Sequence, residues 1–260
     1  MQIVQGLPKG VVVGQTELSH PHALKTPQTD LEGFNLALHV NDQPERVHRH
    51  RISLLNDFSV YGVNRLTWMN QTHSTICHVV NDDMSLHALN GDGLVTQQKQ
   101  HALMMMTADC LPVVLGNKDG TEVANLHAGW RGLANGIIEN TVNAMSTQPS
   151  WAWLGAAISQ PCFEVGEEVM HTFCDRIPEL SSAFQKGDLE GKYYADLYAI
   201  ARHILKSLGV EQVLGGERCS YTEDQTYYSH RRNSKTGRMA TFVFMHSNQE
   251  THLISQSFIL

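Results

Sequence analysis

Long apolar runs are missing from this chain of 260 residues. None approaches the roughly 18 residues that a membrane-spanning helix needs, and no basic-then-apolar leader opens the sequence. An excess of positive charge is missing too. The formal net charge is −7, which excludes the basic footprint of a general nucleic-acid or anionic-membrane binder. Cysteine is sparse: Cys77, Cys110, Cys162, Cys174 and Cys219 are scattered and odd in number, which argues against a disulfide framework and predicts a reduced, cytoplasmic setting. Internal repeats, low-complexity tracts and long linkers are absent as well. The most loop-like stretch, "KGDLEGK" from Lys186 to Lys192, falls inside the second half and divides nothing. The expectation is one domain over 1–260, large enough to bury a sizeable core.

Short runs rich in branched and aromatic residues are present and predict strands. They cover Leu66–Met69, Thr75–Val80, Gly93–Thr96, Ala102–Thr107, Val113–Leu115, Glu122–Leu126, Trp151–Ile158 and Met239–Met245. Helical spacing predicts helices at Leu133–Met145, Gly166–Ile177 and Asp196–Leu208, the last closed by Gly209. Strands dominate the first half and helices are interspersed later. That combination predicts an α/β (α+β) fold with helices covering sheet faces.

Histidine is abundant, 15 in all, and the polar punctuation of three strand ends draws attention. "WMNQTHS" puts His73 just after one strand, "TADCLPVVL" puts Asp109 and Cys110 between two, and "EVANLHAGWRG" puts His127 after a third. Strand ends are where sheet proteins assemble sites. Two histidines and a cysteine are ligands that zinc prefers, and three protein ligands leave a fourth position open, as catalytic sites do. The bland readings stay beside this one: a buried cysteine acting as a small hydrophobe, and histidines that merely hydrogen-bond in turns. The separations, 37 residues from His73 to Cys110 and 17 from Cys110 to His127, match no compact zinc-finger pattern. Pro112, which cannot donate to a ladder, suggests an irregular strand edge there.

Two basic features accompany the ligands. "HAGWRGLANGIIENTV" runs from strand through glycines into a helix with Arg131 at its start, either an anion site or an ordinary glycine turn. "YYSHRRNSKTGRMATFVFM" carries Arg231, Arg232 and Arg238 around a turn, either a solvated loop or a guanidinium fork for carboxylate or phosphate.

Taken together, "NQTHS", "GDGLVT", "TADCLPVVL", "HAGWRGLANGIIENTV", "FEVGEEV", "GGERCSYTE" and "YYSHRRNSKTGRMA" resemble the YfiH family over about residues 33 to 245. That family is also described as multicopper polyphenol oxidase (laccase) and as purine nucleoside phosphorylase. The resemblance implies a layered sandwich of mixed β-sheets covered by helices. It implies a metal, usually zinc with copper possible, on His73, Cys110 and His127. It implies phosphorolysis of adenosine, inosine, guanosine and 5′-methylthioadenosine, with deamination of adenosine as a second activity. Within that frame Asp109 and Cys110 are the expected catalytic residues, and Arg131, Arg231 and Arg232 the expected phosphate-binding ones.

Departures from the family's pattern are Ala156, where proline is usual, and His50 before Arg51, where asparagine is common. The tail "HSNQETHLISQSFIL", about 246–260, matches no family segment. Other readings remain: a copper-dependent polyphenol oxidase, a metal-independent Cys/His hydrolase, and peptidoglycan-precursor editing. The oxidase reading lacks the His-x-His pairs of a trinuclear cluster, since only "HPH" at His20–His22 and "HRH" at His48–His50 occur.

Overall fold

The computed structural model describes residues 1–21, 23, 31, 33–81 and 89–246. The tail beyond His246 and the second histidine of "HPH" lie outside the described residues. Two sheets stack face to face. The first runs β1 (Gln2–Ile3), β2 (Val11–Gln15), β16 (Met239–Met245), β8 (His101–Thr107) and β3 (Arg65–Thr67). The second runs β15 (Gln212–Gly215), β11 (Trp151–Leu154), β9 (Leu111–Gly116), β10 (Val123–Ala128), β7 (Gly93–Thr96) and β5 (Cys77–Val80). A small sheet of β12 (Glu164–Gly166), β14 (Lys192–Ala195) and β13 (Phe184–Lys186) and the pair β4 (Met69–Asn70) and β6 (Leu89–Asn90) complete the strands.

Period-2 alternation builds the layers. Leu103, Met105 and Val243 of the first sheet meet Val114, Val123 and Trp153 of the second between the sheets. The opposite faces are apolar too, so each sheet is covered. Ala102, Met104, Phe242 and Phe244 lie under α1 (Pro44–Ser59) through Leu54 and Phe58. Leu111, Val113, Leu115 and Leu126 lie under α3 (Ile137–Ala144), α4 (Glu167–Cys174) and α5 (Leu197–Ser207). The result is the expected mixed α/β sandwich, helix on sheet on sheet on helix.

Several boundaries differ from expectation, each for a local reason. The helix expected over Leu133–Met145 is two, α2 (Trp130–Asn135) and α3, because Gly136 takes φ 96° and breaks the ladder. The strand expected over Trp151–Ile158 stops at Leu154, and Ala157 makes only an isolated bridge to Cys219. Leu66–Met69 is divided at Trp68 between β3 and β4. Strand β9 begins at Leu111, so Pro112 sits inside a central strand and not on an edge. The carbonyl of Pro112 accepts from Gly155, just past the end of β11, so its missing N–H points where that ladder has already ended. Asp196 caps α5 by accepting from the Ala199 N–H at 2.9 Å. At Ala156 the backbone N–H donates to the buried Gln15 Oε1 at 2.8 Å, a bond that a proline could not make.

Candidate metal centre

The polar interruption after Thr107 is the crossover between the two sheets. Strand β8 ends in the first sheet, Ala108 to Cys110 turn, and β9 begins in the second. Asp109 adopts φ 93° to make that turn, and its carbonyl accepts from Ile158 at 2.9 Å. Strand β10 returns antiparallel to β9 with Ala128 opposite Leu111, so His127 arrives beside Cys110 inside the last ladder residues. His73 comes from a third segment. There the Gln71 side chain bonds both ways to the backbone of Met106, at 2.7 and 2.8 Å, as an extra strand residue would. His73 itself takes φ 58°. Two of the four non-glycine positive φ values among the described residues, His73 and Asp109, thus fall at this site.

The chain thereby gathers His73, Cys110 and His127 with their ligand atoms within 4.8 Å of one another. The distance from His73 Nε2 to Cys110 Sγ is 3.9 Å. A nitrogen and a sulfur on one tetrahedral zinc, at its usual bond lengths, stand about 3.6 Å apart, so this pair needs to close by only a few tenths of an ångström. Gly129 shows how tightly the site is enclosed. A Cβ there would lie 3.1 Å from Cys110 Sγ and 3.3 Å from His73 Cδ2. The donor set, the spacing and the enclosure all fit a metal. Among the described residues this is the only group of three such donors so placed.

Asp92, in "GDGLVT", is the residue that sequence reasoning missed. Its buried carboxylate accepts from six donors: His127 Nδ1 at 2.8 Å, the N–H and hydroxyl of Thr72, the N–H of His73, and the N–H and hydroxyl of Ser74. It therefore fixes the His127 ring with Nε2 facing Cys110, and it holds the His73 turn by the backbone. Burial works against the Asp92 charge, but the bonds from His127 and Ser74 outweigh it and hold the carboxyl well below the usual range. Burial likewise opposes ionising Cys110, yet the His127 charge and bonds from both histidines bring its thiol down to about 6. His127 rises to about 9 despite burial, through the Cys110 thiolate and Asp92. The corner is built to hold a thiolate.

Above the ligands opens a cleft of about 640 Å³, with Trp130, Ile158 and Phe163 as apolar wall and Arg131, Arg231 and Arg238 on its border. Arg131 lies over the Trp130 ring at 4.4 Å, and Arg231 over the Phe163 ring at 5.4 Å. The turn after His127 opens a helix of only six residues, so the cationic character there comes from the Arg131 side chain and not from a helix end. Arg231 donates to the Glu164 carbonyl at 3.2 Å through both terminal nitrogens. Arg232 does not line the cleft: its guanidinium donates to the carbonyls of Ser220, Tyr221 and Tyr227 at 2.7–2.9 Å. Asp109 reaches the cleft wall, but Ser220 Oγ and the Arg231 N–H occupy its two oxygens at 2.7 and 2.6 Å. Arg238, part of the basic cluster but not among the expected phosphate contacts, lies on the cleft with its charge near Cys110 and Asp109.

Among the described residues no helix is long and apolar enough to cross a membrane. Residues 24–246 match the family described as multi-copper polyphenol oxidoreductase laccase. A Shigella flexneri protein named purine nucleoside phosphorylase YfiH is 39% identical over 92% of this chain and 96% of its own length. The Escherichia coli protein of that name is 40% identical over 82% of this chain and 87% of its own. A crystal structure of the Neisseria meningitidis protein NMB0706, of DUF152, superposes with a TM-score of 0.86 at 38% identity, covering 95% of this chain and 99% of that one. With the family match spanning most of the chain and the same sandwich found in solved structures, this chain belongs to the YfiH family, whose model is described as multi-copper polyphenol oxidoreductase laccase.

Proposed function

We propose that the chain is a zinc-dependent purine nucleoside phosphorylase that takes adenosine, inosine, guanosine and 5′-methylthioadenosine, and that also deaminates adenosine. The observation that carries this reading is a three-ligand metal corner at the base of a cleft bordered by guanidinium groups and apolar rings. One cleft can thus hold an anion and a flat base over the same centre. The relatives' name supports the reaction class. Two imidazoles and a thiolate suit zinc, and would also take copper. When bound, the metal supplies a Lewis acid.

The chain's own residues do the remaining work. Arg131 and Arg231 approach phosphate from two sides, with Arg238 deeper, and orient it for attack on the ribosyl carbon. Trp130, Phe163 and Ile158 give the purine an apolar wall and exclude water from it. Asp109 turns the chain into Cys110 through its backbone and holds Ser220 and the Arg231 backbone through its carboxylate, and Arg232 holds the loop that presents Arg231. The protein works as a single cytoplasmic domain on small molecules, without nucleic acid or membrane.

The test is incubation with inosine, adenosine and 5′-methylthioadenosine, each with and without phosphate. Free base and the sugar 1-phosphate are expected only with phosphate, and inosine is expected from adenosine in both conditions. Oxygen uptake on phenols that responds to copper and ignores phosphate would overturn the reading in favour of the oxidase. Turnover by a metal-free chain would favour a Cys/His hydrolase.

A further inference from the structure

Cys162 and Cys219 are not among the metal ligands, yet they lie near one another. The chain from Ala157 to Ser159 runs alongside Cys219 and Ser220: Ala157 bridges Cys219, Ser220 donates to the Ala157 carbonyl at 2.9 Å, and the Ser159 N–H donates to Cys219 Sγ at 3.4 Å. A single turn of 3₁₀-helix, Gln160–Cys162, then folds the chain back, with the Cys162 N–H on the Ser159 carbonyl at 3.0 Å. That turn brings the Cys162 thiol close enough to Cys219 for the two to influence one another's ionisation. Cys162 ends that single turn and Cys219 sits at an isolated bridge, so neither is locked inside a regular helix or sheet.

The two thiols are also chemically unlike. Burial pushes against ionising Cys219, but hydrogen bonds from Ser159 and Thr222 overcome it and bring the thiol down to about 7. Burial and the neighbouring Cys219 push Cys162 up. Cys219 is therefore the nucleophile of the pair, and Cys162, half-buried beside it, is the group placed to resolve it. By contrast Cys77 is pushed up to about 11 by burial and has no such partner role.

We propose that Cys162 and Cys219 form a reversible disulfide on exposure to peroxide, a modification site separate from the metal centre. The Cys219 thiolate attacks one peroxide oxygen. The O–O bond breaks, hydroxide leaves and takes up a proton as water, and Cys219 becomes a sulfenic acid. The Cys162 sulfur then attacks Cys219 Sγ, displacing a second water that carries away the thiol proton. Two thiols are oxidised and one hydrogen peroxide is reduced to two waters.

The consequence follows from what flanks the pair. The carbonyls of Cys162 and Glu164 accept from Arg231, and Ser220 holds Asp109, which in turn holds the Arg231 backbone. A cross-link staples together the two segments that present Arg231, so it weakens use of phosphate and leaves the metal in place. This consequence rests on the proposed phosphorylase reading; the cross-link itself does not.

The test treats the metal-loaded protein with a small excess of hydrogen peroxide, blocks remaining thiols, and maps peptides without reduction. The expected product joins the Cys162 and Cys219 peptides with loss of two hydrogens, reverses with dithiothreitol, and disappears in Cys219→Ser. In Cys162→Ser a sulfenic acid should accumulate on Cys219 and be trapped by dimedone. Metal content should hold while the phosphate concentration needed for half-maximal rate rises. Both thiols remaining free, or either pairing with another cysteine, would overturn the proposal. A cross-link formed with no change in phosphate dependence would overturn only its consequence.

Discussion

The metal corner and the basic border face the same cleft, yet their side chains are held by different means. At the corner a buried carboxylate, Asp92, receives the His127 ring and the His73 backbone, and a glycine without a Cβ closes over the sulfur. At the border, Arg231 is held by backbone carbonyls and lies over an aromatic ring. A carboxylate on a ligand histidine fixes its tautomer and direction before anything binds. A carbonyl on a guanidinium is a neutral acceptor that an incoming anion can replace or share, because arginine has five donors and prefers charged acceptors. The comparison teaches that the floor is preorganised and the border adjustable. The floor should tolerate substitution badly and the border unevenly.

The largest effect is expected at the sulfur. Cys110→Ser should lose nearly all bound metal and with it both proposed activities, because a hydroxyl does not ionise in place of a thiolate. His73→Ala and His127→Ala should behave alike. Metal analysis of the purified variants checks this. A Cys110→Ser protein with full metal occupancy would mean that the corner is not the metal's floor at all.

Asp92→Asn tests whether the corner depends on its supporting carboxylate. The amide keeps the shape but can no longer accept from all six donors, so the His127 ring loses its fixed orientation. Metal affinity, read by competition with a chelator, should fall by about 10–100-fold, the usual cost of losing such a partner. Unchanged affinity would show that the three ligands hold the metal without Asp92.

The border should separate its adjacent arginines. Arg231→Ala removes a cation from the cleft and should weaken phosphate use by an amount typical of a charged hydrogen bond, about 1.5–3 kcal/mol. Arg131→Lys keeps the charge but loses the planar fork, and should be impaired less. Arg232→Ala should instead lower thermal stability, since three carbonyls lose their donor. If Arg232→Ala matches Arg231→Ala in phosphate dependence while its melting temperature is unchanged, the division between the two fails.

These contrasts also explain what the sequence could and could not reveal. The three gathered donors were legible because each interrupts or ends an apolar run. Strand and helix periods made helices on sheet faces legible, whereas the layered sandwich was implied only by the family resemblance. Asp92 was not, because it lies 35 residues from His127 and only the pairing of Leu126 with Gly93 brings them opposite each other. An acid between two glycines, opening a fully buried strand, was the one local hint. Arg231 and Arg232 are neighbours in a turn, and nothing local decides which faces the cleft and which faces the carbonyls. Pro112 misled for a related reason. A missing N–H suggests an edge, but here it points past the end of a neighbouring strand.

The smallest expected effect lies where the two regions join. Asp109 follows the end of β8 and precedes the ligand Cys110, and it holds the Arg231 backbone, with Ser220 donating to its other oxygen. Ser220→Ala removes one donor but leaves the Arg231 N–H in place, so the carboxylate keeps a partner. The cost should be that of one ordinary hydrogen bond, about 0.5–1.5 kcal/mol. It should appear as a modest rise in the phosphate concentration needed for half-maximal rate. Metal affinity should not move, because Cys110 is held by its own backbone turn, whose carbonyl bond to Ile158 is untouched. Titrating phosphate and competing for metal on the same variant reads both sides of the junction at once. Loss of metal in step with loss of phosphate use would mean that floor and border form one cooperative unit, and that the contrast between them is one of location alone.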